Sequence, residues 1–325
     1  MYNDLEIGIL GLGAQGAKIS KIIYKKFKKK ILVYSSKKNL EIQKFVQTDK
    51  IAHLKKCKVI FICTPNFTHF KYLDYYKKTA QYIFCEKPPI NKISEYKKLK
   101  KFPRKYKKKI YFNFNYLFSD KYKILKKKHQ SKKTEKLIDI SISVGNGISF
   151  KKKLLSNWRS NDRNIFSGIV GNIGIHYMNL LEDLIGNIKI NFIEFKKIGK
   201  FELPDTVIIS ISNKKNITGR IFLTYASPFH QNIKAIFSNS IIEIDNDKII
   251  EYYPRNTFDK KNRFIKPKQK IIYNKKSSSI WNNTLKKSVE YFLGSVEKKK
   301  IFPYKKFDSN LDQALMIIKK MNEKN

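Results

Sequence analysis

Arginine, alanine, cysteine and long apolar runs are all in short supply in this 325-residue sequence. The three cysteines, Cys57, Cys63 and Cys85, are odd in number and lack CxxC spacing. That argues against a disulfide framework or a structural zinc site and favours a reducing cytoplasm. No metal site is expected. No apolar run approaches the length that spans a bilayer, and Asp4 and Glu6 stand where a signal peptide carries bases, so neither membrane insertion nor export is expected. Only six of the 69 basic residues are arginine (Arg104, Arg159, Arg163, Arg220, Arg255 and Arg263). Bidentate recognition of bases and phosphates favours arginine, so the formal charge of +43 does not announce a nucleic-acid partner.

Lysine, isoleucine, asparagine, tyrosine and phenylalanine are abundant, the composition of an A/T-rich coding sequence. Runs such as Lys107-Lys108-Lys109 and Lys151-Lys152-Lys153 are scattered and lack the aromatic interleaving of a single-strand platform, so they read as solvated surface. The field they create can still draw in anionic substrates. With 42% hydrophobic residues and this length, the chain has enough for two packed domains.

Glu6 to Leu10 reads as a buried strand that runs into Gly11-Leu12-Gly13-Ala14-Gln15-Gly16, after which Ala17, Ile19, Ile22 and Ile23 recur at helical spacing. This strand, glycine turn and helix order is the dinucleotide fingerprint. Gly11 permits the tight turn, Gly13 lets backbone approach a pyrophosphate, and Gly16 lets helix and strand pack closely. A second strand, Ile31 to Tyr34, ends in Ser35-Ser36-Lys37-Lys38 where a cofactor with a free ribose 2′-hydroxyl calls for an acid. Hydroxyls and ammonium groups suit a 2′-phosphate, which favours NADP over NAD; the plainer reading makes Lys37 and Lys38 two more surface lysines.

Val59 to Cys63 is a nearly all-apolar strand ending in Thr64-Pro65-Asn66-Phe67-Thr68-His69, where Asn66 or Thr68 could equally cap the following helix. The next strand, Tyr82 to Cys85, stops at Glu86-Lys87-Pro88-Pro89. A proline excludes the helical region for the residue before it, so Lys87 is held extended at the strand's carboxyl end. In an open parallel sheet, ligands bind at that end.

GLGAQG, CTPNFTH and CEKPP, in this order, resemble the glucose-fructose oxidoreductase, inositol dehydrogenase and MocA (Gfo/Idh/MocA) family, and the likeness spans nearly the whole chain. The resemblance implies an α/β Rossmann domain over residues 1–118, closed by a strand from Ile110 to Tyr116. It implies an α+β domain with a largely antiparallel open-faced sheet over 119–325, for substrate binding and oligomerisation. It further implies that Gly11, Gly13, Ala14, Gln15, Gly16, Ser35, Ser36, Lys37, Thr64, Pro65, Asn66, His69, Glu86, Lys87 and Asn115 bind the cofactor. Substrate contacts fall to Lys87, Asn115, Trp158, Arg159, Asn172 and His176.

In the second half, Leu137 to Val144 alternates apolar and polar residues, and short strands follow at 207–212, 217–225, 233–237 and 241–245. Lysine-rich 258–276 reads as a surface loop, and 281–296 and 311–321 as amphipathic helices. Asn172, His176 and Asn179 fall on one face of a helix. A histidine on a mostly apolar helix is commonly a core residue; the family pattern instead places it beside the substrate, between aspartates four residues before and three after. Here both are asparagines, and Leu117 stands where arginine is common in the family. Asparagine can orient the imidazole but cannot stabilise the imidazolium as a carboxylate would.

These features lead us to expect an NAD(P)-dependent oxidoreductase moving a hydride to or from a carbinol or ketone carbon of a sugar, cyclitol or sugar nucleotide, with Lys87, His176 and Asn172 catalytic. The alternative is a catalytically weak dinucleotide-binding regulator or sensor of the same fold. The implied assembly is a homodimer or homotetramer.

Overall fold

The computed structural model describes residues 6–28, 30–35, 45–131, 135–155, 168–246, 248–253, 257–275 and 279–323. The chain forms two compact units, Met1–Asn115 with Leu285–Ile318, and Tyr116–Thr284 with Lys319–Asn325.

The first unit holds six strands, β1 Ile7–Leu10, β2 Ile31–Tyr34, β3 Phe45–Thr48, β4 Val59–Ile62, β5 Tyr82–Cys85 and β6 Ile110–Phe112. They pair in the order β3-β2-β1-β4-β5-β6, and every pairing is parallel. Both β1 and β4 are buried at every position, as strands covered on two faces must be. The helices of this part are α1 Ala14–Phe27, α2 His69–Tyr76, α3 Ile93–Lys100 and the short α4 Arg104–Lys107. This is the doubly wound order, in which chain direction reverses between β1 and β4.

The second unit contributes α5 Asp120–Ser131, α6 Lys152–Leu155 and α7 Ile175–Ile185. Its eight strands are β7 Leu137–Gly145, β8 Ile188–Lys196, β9 Thr206–Asn213, β10 Thr218–Thr224, β11 His230–Phe237, β12 Ile241–Asp245, β13 Lys248–Tyr253 and β14 Lys268–Asn274. They form one sheet in the order β14-β13-β12-β11-β7-β10-β9-β8. All neighbours are antiparallel except β7 and β10. Alternation is clean on β11, where Gln231, Ile233, Ala235 and Phe237 are buried and the residues between them are not.

Two expectations give way here. The segment 258–276 contains β14, an edge strand: it is mostly exposed, so no buried face imprints a two-residue period on its sequence. The two last helices, α8 Thr284–Glu297 and α9 Tyr304–Asn322, do not continue the second unit, because 285–318 returns to the first. The cause is aromatic. Phe292 sits edge-on to Phe61 of β4 and Phe84 of β5, both at 5.3 Å between ring centroids, and stacks on Phe302 at 5.7 Å. With Val289 and Leu293 it completes the core beneath the parallel sheet, where truncating a phenylalanine to alanine typically costs about 3–5 kcal/mol. None of the described helices is long and apolar enough to cross a membrane.

Candidate active site

Parallel pairing sets the ends of β1, β2, β4, β5 and β6 along one edge, and the segments leaving them carry Gly11, Ser35, Thr64, Lys87 and Asn113. Gly11 has a φ of +87°, donates its N–H to Tyr34 O at 2.8 Å, and a Cβ there would lie 3.0 Å from Thr64 Cγ2. At Gly16 a Cβ would stand 2.0 Å from Gly11 O, so helix and turn could not close. Gly13 differs from both. Its φ of −65° suits any residue, and a Cβ there would meet no atom within 4 Å. Neither backbone nor packing explains a glycine at this position. Gly13 caps α1 with no side-chain bond, and no acid occupies the helix's first turn, so the amides and positive end of the dipole are presented to open space. A dinucleotide pyrophosphate fits that cradle, with Gly11, Gly13, exposed Ala14 and half-buried Gln15 around it.

Beyond β4, Thr64 and Thr68 share a hydroxyl hydrogen bond of 2.6 Å, and Asn66 Oδ1 accepts from the Phe67 amide at 2.9 Å. His69 is 1% exposed and lies between two backbone carbonyls, with Nδ1 2.9 Å from Pro88 O and Nε2 3.0 Å from Thr64 O. It therefore ties the segment after β4 to the cis Lys87-Pro88 peptide after β5, from within the protein rather than on a surface open to a cofactor. Burial lowers its imidazole to about 4, against the two carbonyls, which raise it, and with the charge of Lys87, which lowers it further. The neutral ring has one N–H to give to two acceptors.

Glu86, beside Lys87, is buried. Asn113 Nδ2 donates to its Oε1 at 2.8 Å, and Asn113 Oδ1 accepts from Ser288 Oγ at 2.7 Å. Ser288 gives its only hydrogen there, so Tyr111 OH donates to Ser288 Oγ at 2.9 Å. Burial raises the Glu86 carboxyl above its usual range; the Asn113 bond and the charge of Lys87 oppose this and are outweighed. Lys87 thus leaves β5 with its neighbours fixed from two sides, by the Asn113 relay behind Glu86 and by His69 at Pro88.

The second unit builds its candidate around α7. His176 is buried on it, and Asn179 is fully buried three residues on. Asn172 precedes them in a π-helical turn, Val170–Gly174, so the four-residue spacing to His176 does not carry the α-helical alignment expected of it. The imidazole stacks on Tyr116, 4.1 Å between centroids at 15°, and Tyr116 stacks in turn on Trp281, at 4.0 Å and 1°. Trp281 Nε1 donates to Tyr177 OH at 2.9 Å. This deck of three rings was not foreseen. Asn115 is half-buried and opens the 3₁₀ turn Asn115–Phe118 that carries Tyr116. Ser36, Lys37, Trp158 and Arg159 lie outside the described residues. Among those described, no group of three or more histidine, cysteine, aspartate or glutamate side chains could hold a metal ion.

Residues 5–114 match the model of an oxidoreductase family with an NAD-binding Rossmann fold. No curated protein matches the chain in sequence. Among solved structures, levoglucosan dehydrogenase in complex with NADH and levoglucosan is similar at a TM-score of 0.77, with 15% identity over 99% of this chain and 98% of that one. An NAD-binding oxidoreductase of Klebsiella pneumoniae aligns at 0.75, with 14% identity over 99% and 98%. The UDP-N-acetylglucosamine 3-dehydrogenase GnnA of Acidithiobacillus ferrooxidans aligns at 0.73, with 13% identity over 97% and 96%. At these identities the likeness establishes the fold.

Proposed function

From the premise that this chain belongs, through residues 5–114, to the Gfo/Idh/MocA oxidoreductases, we propose that it is a dehydrogenase or reductase of a sugar, cyclitol or sugar nucleotide, acting at a carbinol or ketone carbon and preferring NADP to NAD. The open cradle at Gly13 carries the cofactor half of this reading. The substrate class rests on the family and on aligned structures whose own substrates are sugars or sugar nucleotides.

The bound nicotinamide would supply the hydride exchange; the chain supplies position and a proton path. Lys87 is the group we assign to the substrate oxygen, because the Glu86 relay and His69 hold its backbone at the sheet edge. The proton that leaves or joins that oxygen needs an acceptor within hydrogen-bond reach, and His176 has the ordinary pKa nearest to neutrality for the task. We assign Asn172 to orienting it. The three cysteines are buried and free, in keeping with a reducing cytoplasm, and we expect a homodimer or homotetramer. A weakly active dinucleotide-binding regulator is the second reading, favoured by Asn172 and Asn179 where the family carries aspartates and by Leu117 in place of arginine.

Calorimetric titration tests the cofactor assignment. NADPH should bind more tightly than NADH by ~1 to 2 kcal/mol, through a charge-assisted contact to the 2′-phosphate. Ser35→Asp should reverse the order. Equal or tighter NADH binding by the native chain overturns the preference. Tight cofactor binding without turnover on a panel of free sugars, inositols and nucleotide sugars favours the regulator.

A further inference from the structure

A carboxylate beside a catalytic histidine stabilises its charged form, and asparagines at 172 and 179 bring no charge to do so. The three-ring deck offers a substitute. Two neutral aromatic rings avoid a face-to-face sandwich because their electron-rich faces repel, whereas a cation placed on such a face is attracted to it. At 4.1 Å and 15°, the His176 ring lies flat on Tyr116, an arrangement that suits imidazolium better than neutral imidazole. We infer that Tyr116, backed by Trp281, is the positioning and charge-stabilising partner of His176, taking the place of a carboxylate counter-ion. This rests on the reading of His176 as the acid or base.

The deck is built to stay in place. Trp281 covers the far face of Tyr116 in parallel at 4.0 Å and is pinned by its bond to Tyr177 OH. The segment before it is anchored as well. Gln231 Oε1 accepts from Ser279 Oγ at 2.8 Å and from the Ile280 amide at 3.0 Å, while Ser119 Oγ donates to Ile280 O at 2.8 Å. Gln231, Ser119 and Tyr177 are all buried. A fixed Tyr116 face leaves the imidazole one plane to lie in, which orients its nitrogens without a hydrogen bond.

The charged and titratable groups on the elements packed about α7 in this unit are otherwise occupied. Burial pushes the Tyr116 and Tyr177 phenols well up, so both are neutral near pH 7. Asp183, on the same helix as His176, accepts from Tyr122 OH at 2.5 Å and pairs with Lys126 Nζ at 2.7 Å, both on α5. From β10 the neighbour of the π-helical turn is the apolar Leu223.

The test is an NMR titration of the histidine ring protons of the full chain, with His176 assigned by its loss in His176→Ala. Tyr116→Leu removes the aromatic face and should lower the His176 pKa by about 0.5–1 pH unit, whereas Tyr116→Phe keeps the face and should leave it within about 0.3. Trp281→Leu keeps Tyr116 but frees its far side, and should give a smaller drop in the same direction. It also serves as the deciding variant should Tyr116→Leu fail to fold. A His176 pKa unmoved by loss of the Tyr116 face, or by Trp281→Leu in that event, overturns the inference. The titration needs no turnover, so the two ideas fail separately. A shifted pKa with full activity in His176→Ala keeps the stack and removes His176 from catalysis; an unmoved pKa with His176→Ala inactive does the reverse.

Discussion

The two units hold their chemistry in place by different means. In the first, the candidate groups sit at strand ends, where backbone hydrogen bonds, one left-handed glycine and a buried polar relay leave little freedom. In the second, a histidine is held by ring faces brought together from three distant stretches of chain. The first arrangement depends on backbone geometry and tolerates few substitutions at its glycines. The second depends on side-chain area and accepts any residue that keeps a flat face. Local backbone rules can be read in a sequence, while packing partners must be found in space.

Substitutions at the two proposed reacting groups should have the largest effect. Lys87→Met and His176→Ala should each keep the bound cofactor and lower kcat by ~10² to 10⁴, the usual loss for a positioned proton-transfer group. Single-turnover kinetics with a working substrate reads this out, and near-native kcat in both would place the chemistry on other residues.

The pinning of the first unit can be loosened with acid. Folding holds the His69 imidazole near 4 against an ordinary 6.5, so the folded state binds that proton less tightly than the unfolded chain. The associated stability is complete above pH 6.5 and is lost as pH falls through 4. It amounts to about 3 kcal/mol at most for this group. Urea denaturation at pH 7 and pH 4.5 should show the native chain losing stability more steeply than His69→Gln, and an identical slope in both would dissociate His69 from the loss.

A finer comparison lies within the glycine turn. Gly13→Ala meets no protein atom and should leave stability within about 0.5–1 kcal/mol, the small cost of alanine at a helix N-cap, while weakening cofactor binding at least tenfold, or ~1.4 kcal/mol. Gly16→Ala collides with Gly11 O and should lower stability and binding together. Thermal melts paired with cofactor titration separate the two, and unchanged binding in Gly13→Ala would remove the cradle from the cofactor site.

Much of the fold was legible, and for stated reasons. All-apolar runs such as Val59 to Ile62 announce strands buried on both faces, and the alternation from Leu137 onward announces a sheet with one open face. The edge strand β14 was hidden because exposure erases the pattern that burial writes, and β3, β8 and β13 lay in stretches too short or too mixed to show a period. His69 was legible as a member of its motif, but its place between two carbonyls was not, since Pro88 is 19 positions away.

The sequence by itself determined the parallel first unit, the turn at Gly11 to Gly16 and the extended Lys87, because glycine, proline and apolar periodicity act through the backbone over a few residues. Only the tertiary structure decided that residues 285–318 return to the first unit, that a π-helical turn carries Asn172, and that Trp281 backs the ring on which His176 lies. Those outcomes follow from which buried faces meet across the chain: Phe292 finds Phe61 and Phe84, and Trp281 finds Tyr177 from 104 positions away. Packing of that kind is specified by shape and area in three dimensions, and no local pattern encodes it.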